Sequence, residues 1–309
     1  MTKVSLPTWT PETPTLEADL DRSRGRGIGT RFRAGRTKYL LGAICIALIV
    51  VMLAPLVFSV LASIKPTVEA SAVPPNYFPT ELSLESYDRL WNYGSGLPQY
   101  LGNSFMTAFL TIAMTLLLTV PAGYGLARFP IPGKEVIFVL LLLALIIPYQ
   151  ALLTPIFLMF SSLGLTNSLL GLAIIHTTIQ LPFSVYIMRN AFEAVPRELE
   201  EAAVVDGANS WQVLRRVFLP TMVPAVITVT LFAFVMSWNE FLGALVMLNR
   251  DATYTLPLIL AAARSVTSLG STDWGMLQAG VTIAVIPCVM VYLLLQKYYV
   301  SGLYSGAVK

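Results

Sequence analysis

The chain has 309 residues, of which 56% are hydrophobic and 12% charged, with a formal net charge of +3. Soluble domains carry about 25% charged residues, so water is excluded as the main solvent of this chain. Two cysteines and one histidine provide neither a disulfide framework nor a metal site.

The first 38 residues are polar and rich in Arg, Pro and Gly, without apolar periodicity. They predict a disordered basic cytoplasmic tail over 1–38. Its arginines abut an apolar tract, which points to membrane orientation and anionic lipid rather than nucleic acid. Tyr39 to Ile64 is the first of six long tracts that carry at most one formal charge each; the others are Ser104 to Ala127, Val136 to Phe160, Leu169 to Arg189, Leu219 to Leu248 and Gly275 to Gln296. About 20 apolar residues cross a bilayer as a helix, and continuous runs exclude the alternating strands of a barrel. The predicted fold is an all-α integral membrane protein with six transmembrane helices over 39–296 and a cytoplasmic tail over 297–309. Ala70-Ser71-Ala72 resembles a signal cleavage site, but the preceding tract exceeds the roughly 7 to 15 apolar residues of a signal, so the first helix is expected to stay uncleaved. Cys45 and Cys288 fall within tracts and read as packing residues, and His176 as a packed or pore-facing one.

Orientation follows from the basic residues of the loops. With six spans and a cytoplasmic start, sixteen of the 20 Lys and Arg fall inside, and only Lys65, Arg89, Arg250 and Arg264 outside. Both termini are then cytoplasmic. The outer segment from Lys65 to Tyr100 carries Tyr77, Tyr87, Trp91, Tyr93 and Tyr100, aromatics suited to a contact surface or to the membrane interface.

Prolines 55, 121, 148, 155, 182, 220, 224 and 287 lie in or at the tracts and predict kinks. Such breaks survive in a bilayer only beside protein or a water-filled cavity, which suits a transporter. The main polar groups within the tracts are Gln150, Gln180, Asn239, Glu240 and Gln278. Gln150, Asn239 and Glu240 are candidates for the substrate path. Glu240 lies about 32 Å along a continuous helix from Leu219, near the outer interface, where it either lines the outer cavity or braces neighbouring helices.

The longest inner loop, 190–218, has the clearest local grammar. Pro196 suits a first helical turn, Glu198, Glu200 and Glu201 favour a helix N-terminus, and Gly207 suits a left-handed end. A helix of about eleven residues results, with Val195, Leu199, Ala202 and Ala203 on one side and the carboxylates on the other. Ser210 is expected to cap a second short helix through Trp211, Leu214 and Val217. An anionic, small-residue helix projecting into the cytoplasm is a natural peg for a groove on another protein.

Glu201-Ala202-Ala203, Gly207 and Leu219-Pro220 resemble the EAA loop of permease subunits of bacterial ATP-binding-cassette importers, with Val217 where the family pattern has isoleucine. Ala127-Arg128-Phe129 with Pro132-Gly133-Lys134, Pro148-Tyr149-Gln150, Leu163-Gly164-Leu165-Thr166-Asn167-Ser168 and Trp238-Asn239-Glu240-Phe241 are similar to its carbohydrate branch. The final residues, Ser301 to Lys309, are similar to the tail of MalG-like permeases, and the resemblance covers roughly Lys38 to Lys309. It implies pairing with a second, homologous permease in the inner membrane and two cytoplasmic ATPase subunits. Glu201, Ala202, Ala203, Asp206 and Gly207 would then couple ATPase closure to the helices.

The segments Phe78 to Tyr87 and Tyr254-Thr255-Leu256-Pro257 resemble the parts that meet an extracytoplasmic substrate-binding protein delivering a sugar or sugar derivative. No Gly-x4-Gly-Lys-Ser/Thr loop is present, since Gly133-Lys134 continues with Glu135. ATP and magnesium therefore belong on partner subunits, and this chain needs no cofactor or metal and is not an enzyme. An ion-coupled transporter working alone would need more intramembrane carboxylates, and a membrane enzyme would need clustered His, Asp or Glu at the boundary.

Overall fold

The structure, a computed structural model, describes residues 27–72, 74–263 and 272–307. Most of the expected basic tail, together with Arg264, Val308 and Lys309, lies outside the described residues. Chain contacts divide the protein into two compact units, 1–57 and 58–309.

In the first unit, helix α1 (Gly27–Ser63) begins ahead of its apolar tract and runs on beyond the unit boundary. No proline interrupts 27–38, so the basic residues extend the helix rather than ending it. From Tyr39 to Val57 its large apolar side chains are exposed, the pattern of a helix whose solvent is lipid.

The second unit is a helical bundle, and no strand occurs among the described residues. Its elements are α2 (Glu85–Trp91), α3 (Leu97–Arg128), α4 (Lys134–Leu143), α5 (Tyr149–Ser162), α6 (Leu169–Ala194), α7 (Arg197–Val205), α8 (Ser210–Val213), α9 (Val223–Asn239), α10 (Leu242–Met247), α11 (Leu256–Ala262) and α12 (Trp274–Ala307). Four helices are long and apolar enough to cross a membrane, and six crossings result if each of two bent pairs forms one span.

The bent pairs correct the expectation of two continuous spans. The third tract folds 100° at Ile147 and Pro148. Pro148 has no N–H to donate and holds Ile147 in extended backbone, which ends the preceding turn. The fifth tract bends by 77° around Met222, between Pro220 and Pro224, and ends as a helix at Asn239. A π-helical turn, Leu214–Phe218, precedes that bend. The last helix continues to Ala307, through most of the expected C-terminal tail.

Within a bilayer apolar area does not draw helices together, because lipid is as apolar as a side chain; close fit and hydrogen bonds must do so. Helix α3 supplies the fit with a buried row one turn apart, Thr107, Thr111, Thr115, Thr119 and Gly123. A Cβ on Gly123 would lie 2.7 Å from Met188 Cβ and 3.0 Å from the Arg189 nitrogen, so only glycine permits α6 to approach this closely. Helix α9 packs on both, and Trp238 Nε1 donates to the Ala284 carbonyl of α12 at 3.0 Å.

At the start of α3, Asn103 Nδ2 donates to the carbonyls of Ala252 and Tyr254, both at 2.9 Å, and Tyr100 donates to Asp251 at 2.8 Å. Tyr100, expected among the surface aromatics, is fully buried, whereas Tyr77 and Trp91 are exposed.

Candidate functional site

Helix α7 stands at the opposite end of the bundle, between the last turn of α6 and the foot of the fifth span. Pro196 adopts φ −56° and ψ 139° at its N-cap, so the proline fixes the entry while Glu198 and Glu200 occupy the positive first turn. Its end is a Schellman turn. Gly207 takes φ +83°, its N–H bonds to the Val204 carbonyl at 2.9 Å, and the Ala208 N–H reaches back to Ala203 at 2.9 Å. The helix has nine residues.

Asn209, not Ser210, caps α8. Its side chain accepts from the Gln212 N–H while Gln212 accepts from the Asn209 N–H, both at 2.9 Å. That reciprocal pair needs an acceptor three residues ahead of a Gln, which Asn209 satisfies and Ser210 does not.

Ala203 packs against a core of Phe192, Val213, Leu214 and Phe218. Glu201, Ala202, Asp206 and Gly207 are exposed, and so are Leu199, Val204, Val205 and Trp211. The four apolar positions expected on one side do not share one environment: Val195 and Ala203 pack on the core, whereas Leu199 and Ala202 are exposed. Between the end of α7 and the helix that follows, a cavity of about 320 Å³ is lined by Ala203, Asp206, Gly207, Gln212, Arg216 and Val217 among others.

Besides this packing, a buried arginine ties the loop to the bundle. Arg128, the last residue of α3, donates through Nη2 to the carbonyls of Phe192 and Val195. Its Nη1 lies 3.6 Å from Glu200 of α7, and its guanidinium covers the Phe218 ring at 4.9 Å from the centroid. Only 4% of the side chain is exposed. In sequence Arg128 reads as a loop charge, and its place directly after the apolar tract that ends at Ala127 is the signal for a role at the end of the span. Arg189 makes a second tie, with Glu193 and Glu135 each at 2.8 Å and the Phe138 ring below it.

Glu240 occupies the break between α9 and α10. Its carboxylate accepts from the N–H groups of Gly243 at 2.8 Å and Ala244 at 3.3 Å, which caps α10, and from the Tyr149 hydroxyl of α5. His176 of α6 lies 3.2 Å away through Nε2. A carboxylate only accepts, so Nε2 carries the hydrogen there and, in the neutral ring, Nδ1 accepts from Ser237 at 2.8 Å. Glu240 and His176 side chains are 6% and 1% exposed. Asn239 and Gln150, the other two candidates, are exposed, and Asn239 donates to the Val235 carbonyl at 2.7 Å. The His176 partnership was not foreseen, because pairing across two spans has no spacing rule in sequence. Beside the break at Pro148, an apolar cavity of about 430 Å³ is lined by Ile147, Tyr149, Ile156, Ile175 and Pro182 among others. Among the described residues no three His, Cys, Asp or Glu side chains gather as a metal-ligand group.

The family model described as binding-protein-dependent transport system inner membrane component matches residues 119–303. The chain belongs to this family. It is a membrane permease subunit of an ATP-binding-cassette importer, and not an enzyme. The probable ABC transporter permease protein YurM of Bacillus subtilis is 36% identical over 231 residues, 75% of each chain. The diacetylchitobiose uptake system permease protein DasC of Streptomyces coelicolor is 30% identical over 270 residues, 85% of this chain and 94% of that one. The fold matches a chain of a bacterial ABC transporter that imports the acidic polysaccharide alginate, with a TM-score of 0.75 and 24% identity, over 86% of this chain and 98% of the other. A permease of this family works in the inner membrane with a binding protein and an ATPase.

Proposed function

We propose that this permease imports a saccharide or sugar derivative together with a second, homologous permease, and that α7 is the peg by which two ATPase subunits drive it. In this reading Glu201, Ala202, Ala203, Asp206 and Gly207 form the coupling helix and its end. The observation that carries the proposal is an exposed acidic and apolar helix held to three parts of the bundle through one buried arginine. A push on α7 moves Glu200 and Val195, and through Arg128 the end of α3 and the foot of the fifth span. Energy reaches two broken spans, whose bends give the bundle somewhere to yield.

Arg128, Arg189, Arg197, Arg215 and Arg216 lie in or beside the elements at the α7 end, which supports a cytoplasmic location for that end; both termini are cytoplasmic in this reading by the charge count of the loops and an even number of spans. ATP and magnesium then reside on the ATPase subunits. The opposite end, where Asp251 and Asn103 clamp two loops, meets the binding protein. Saccharide specificity is supported by diacetylchitobiose uptake in one relative and alginate import in a fold neighbour. Gln150 and Asn239, both exposed, are suited to meet a hydroxylated solute, whereas Glu240 has its acceptor sites filled and serves to brace α5, α6 and α10.

A photo-crosslinker placed at Ala202 or Val205 in the assembled transporter tests the docking. Adducts to the ATPase from both positions, and none from an equivalent probe at Tyr77, are expected. Adducts to the binding protein from Ala202 would overturn the assignment.

A further inference from the structure

The buried row on α3 changes character part-way along. Thr107 and Thr111 donate their hydroxyls to the carbonyls one turn back, at 2.9 and 2.8 Å, the usual way a threonine is satisfied inside a helix. Thr115 and Thr119, next in the same row and fully buried, have no partner. On α6 two further buried polar groups lack partners, Gln180 Nε2 and Ser184 Oγ, in residues 7% and 0% exposed.

These four groups share one place. Helices α3 and α6 pack side by side, with Gly123 against Met188 at one end and, at the other, Thr111 at 3.3 Å and His176 at 2.8 Å from the same Ser237 hydroxyl. The same offset places Thr119 level with Ser184 and Thr115 level with Gln180. By this register, two successive layers of the seam between α3 and α6 bring a buried hydroxyl to the height of another hydroxyl, and a hydroxyl to the height of an amide donor. Each layer offers two or more polar groups, which is what a buried water needs.

We propose that this seam is a buried water-binding site, in which one water bridges Thr119 to Ser184 and another bridges Thr115 to Gln180. Water is the ligand that suits the site, because the helices approach closely one turn away at Gly123 and the four groups carry no charge to hold an ion. Both helices carry a proline close to these layers, Pro121 and Pro182, so each loses a backbone bond there. Exchangeable waters let hydroxyls change partners as the two helices shift, where a dry apolar seam would have to repack.

A double-mutant cycle on the assembled transporter tests the site, with Thr119→Val and Ser184→Ala singly and together, and thermal midpoint as the readout. The account predicts a fall of about 2–4 °C for each single variant and a double variant that falls by clearly less than the sum, since either change already releases the shared water. Single variants that leave the midpoint unchanged or raise it, as removing an unpaired hydroxyl from a dry seam would, overturn the proposal, and so do additive falls. If the variants fail to assemble, a high-resolution electron-microscopy map of the unaltered transporter decides. Density within about 3 Å of both Thr119 and Ser184 oxygens supports the site, and direct side-chain contact with no density between them refutes it.

Discussion

Replacing Arg128 with methionine keeps an unbranched apolar stem but not the guanidinium, and so removes the polar ties of Arg128 to the loop that carries α7. Two charge-assisted bonds, to Phe192 and Val195, are worth about 1.5–3 kcal/mol each while buried. The Glu200 pair at 3.6 Å, one quarter exposed on the carboxylate side, adds no more than about 1 kcal/mol, and the Phe218 contact a similar amount. The methionine stem keeps part of the apolar packing, and water can reach part of the freed carbonyls, so a net loss of about 3 kcal/mol is expected. That shifts the balance between docked and undocked loop by about two orders of magnitude. The assay is the number of solute molecules imported per ATP hydrolysed in proteoliposomes holding the complete transporter. Transport should fall tenfold or more while ATP hydrolysis continues, and Arg128→Lys, which keeps the charge but not the fork, should fall between the two. An unchanged ratio in Arg128→Met would refute the idea that this arginine transmits the push.

Gly207→Ala adds a Cβ that meets nothing within 4 Å, so its whole effect is the backbone cost of a left-handed alanine, about 1–2 kcal/mol; faster proteolytic cleavage within 197–210 should report it. Glu240→Gln should lower the thermal midpoint of the complex through loss of charge-assisted bonds to Tyr149, Gly243 and Ala244, while the saccharide KM stays within about twofold; a large rise in KM at unchanged stability would place Glu240 on the solute instead. Burial opposes ionisation of Asp251, but hydrogen bonds from Ser95 and Tyr100 outweigh it and hold its carboxyl below the ordinary value. A depressed folded pKa gives stability that is complete above about pH 4 and lost as pH falls through the folded value. Asp251→Asn should therefore be less stable than the parent at pH 6, with the gap closing below pH 4; a gap that does not change with pH would show that charge is not involved.

Much of the architecture was legible because lipid imposes a simple demand. Every crossing must be long, apolar and internally bonded, so six tracts stood out from the charge distribution alone. The short acidic helix was legible for a different reason: Pro196, Glu198 and Gly207 act through their own backbone and nearest turns, and such local chemistry survives without knowledge of neighbours. The sharp bends were not legible, because proline in a membrane helix yields anything from a mild kink to the 100° turn at Pro148, and neighbouring helices decide which. The roles of Arg128 and His176 were hidden for the same reason. Each depends on groups brought together from separate elements, and spacing along one chain does not encode such convergence. Ser210 was mistaken for a cap because serine is a good one in isolation, whereas Asn209 gains the reciprocal bond with Gln212.

The central claim is that ATP binding at the α7 end powers import from the opposite end. Proteoliposomes with the complete transporter, ATP confined to the α7 side and saccharide-loaded binding protein on the other, measure it directly through uptake of labelled solute. The account predicts uptake that stops when ATP is moved to the binding-protein side or when the ATPase subunits are left out. Equal uptake with the ATPase absent would contradict it.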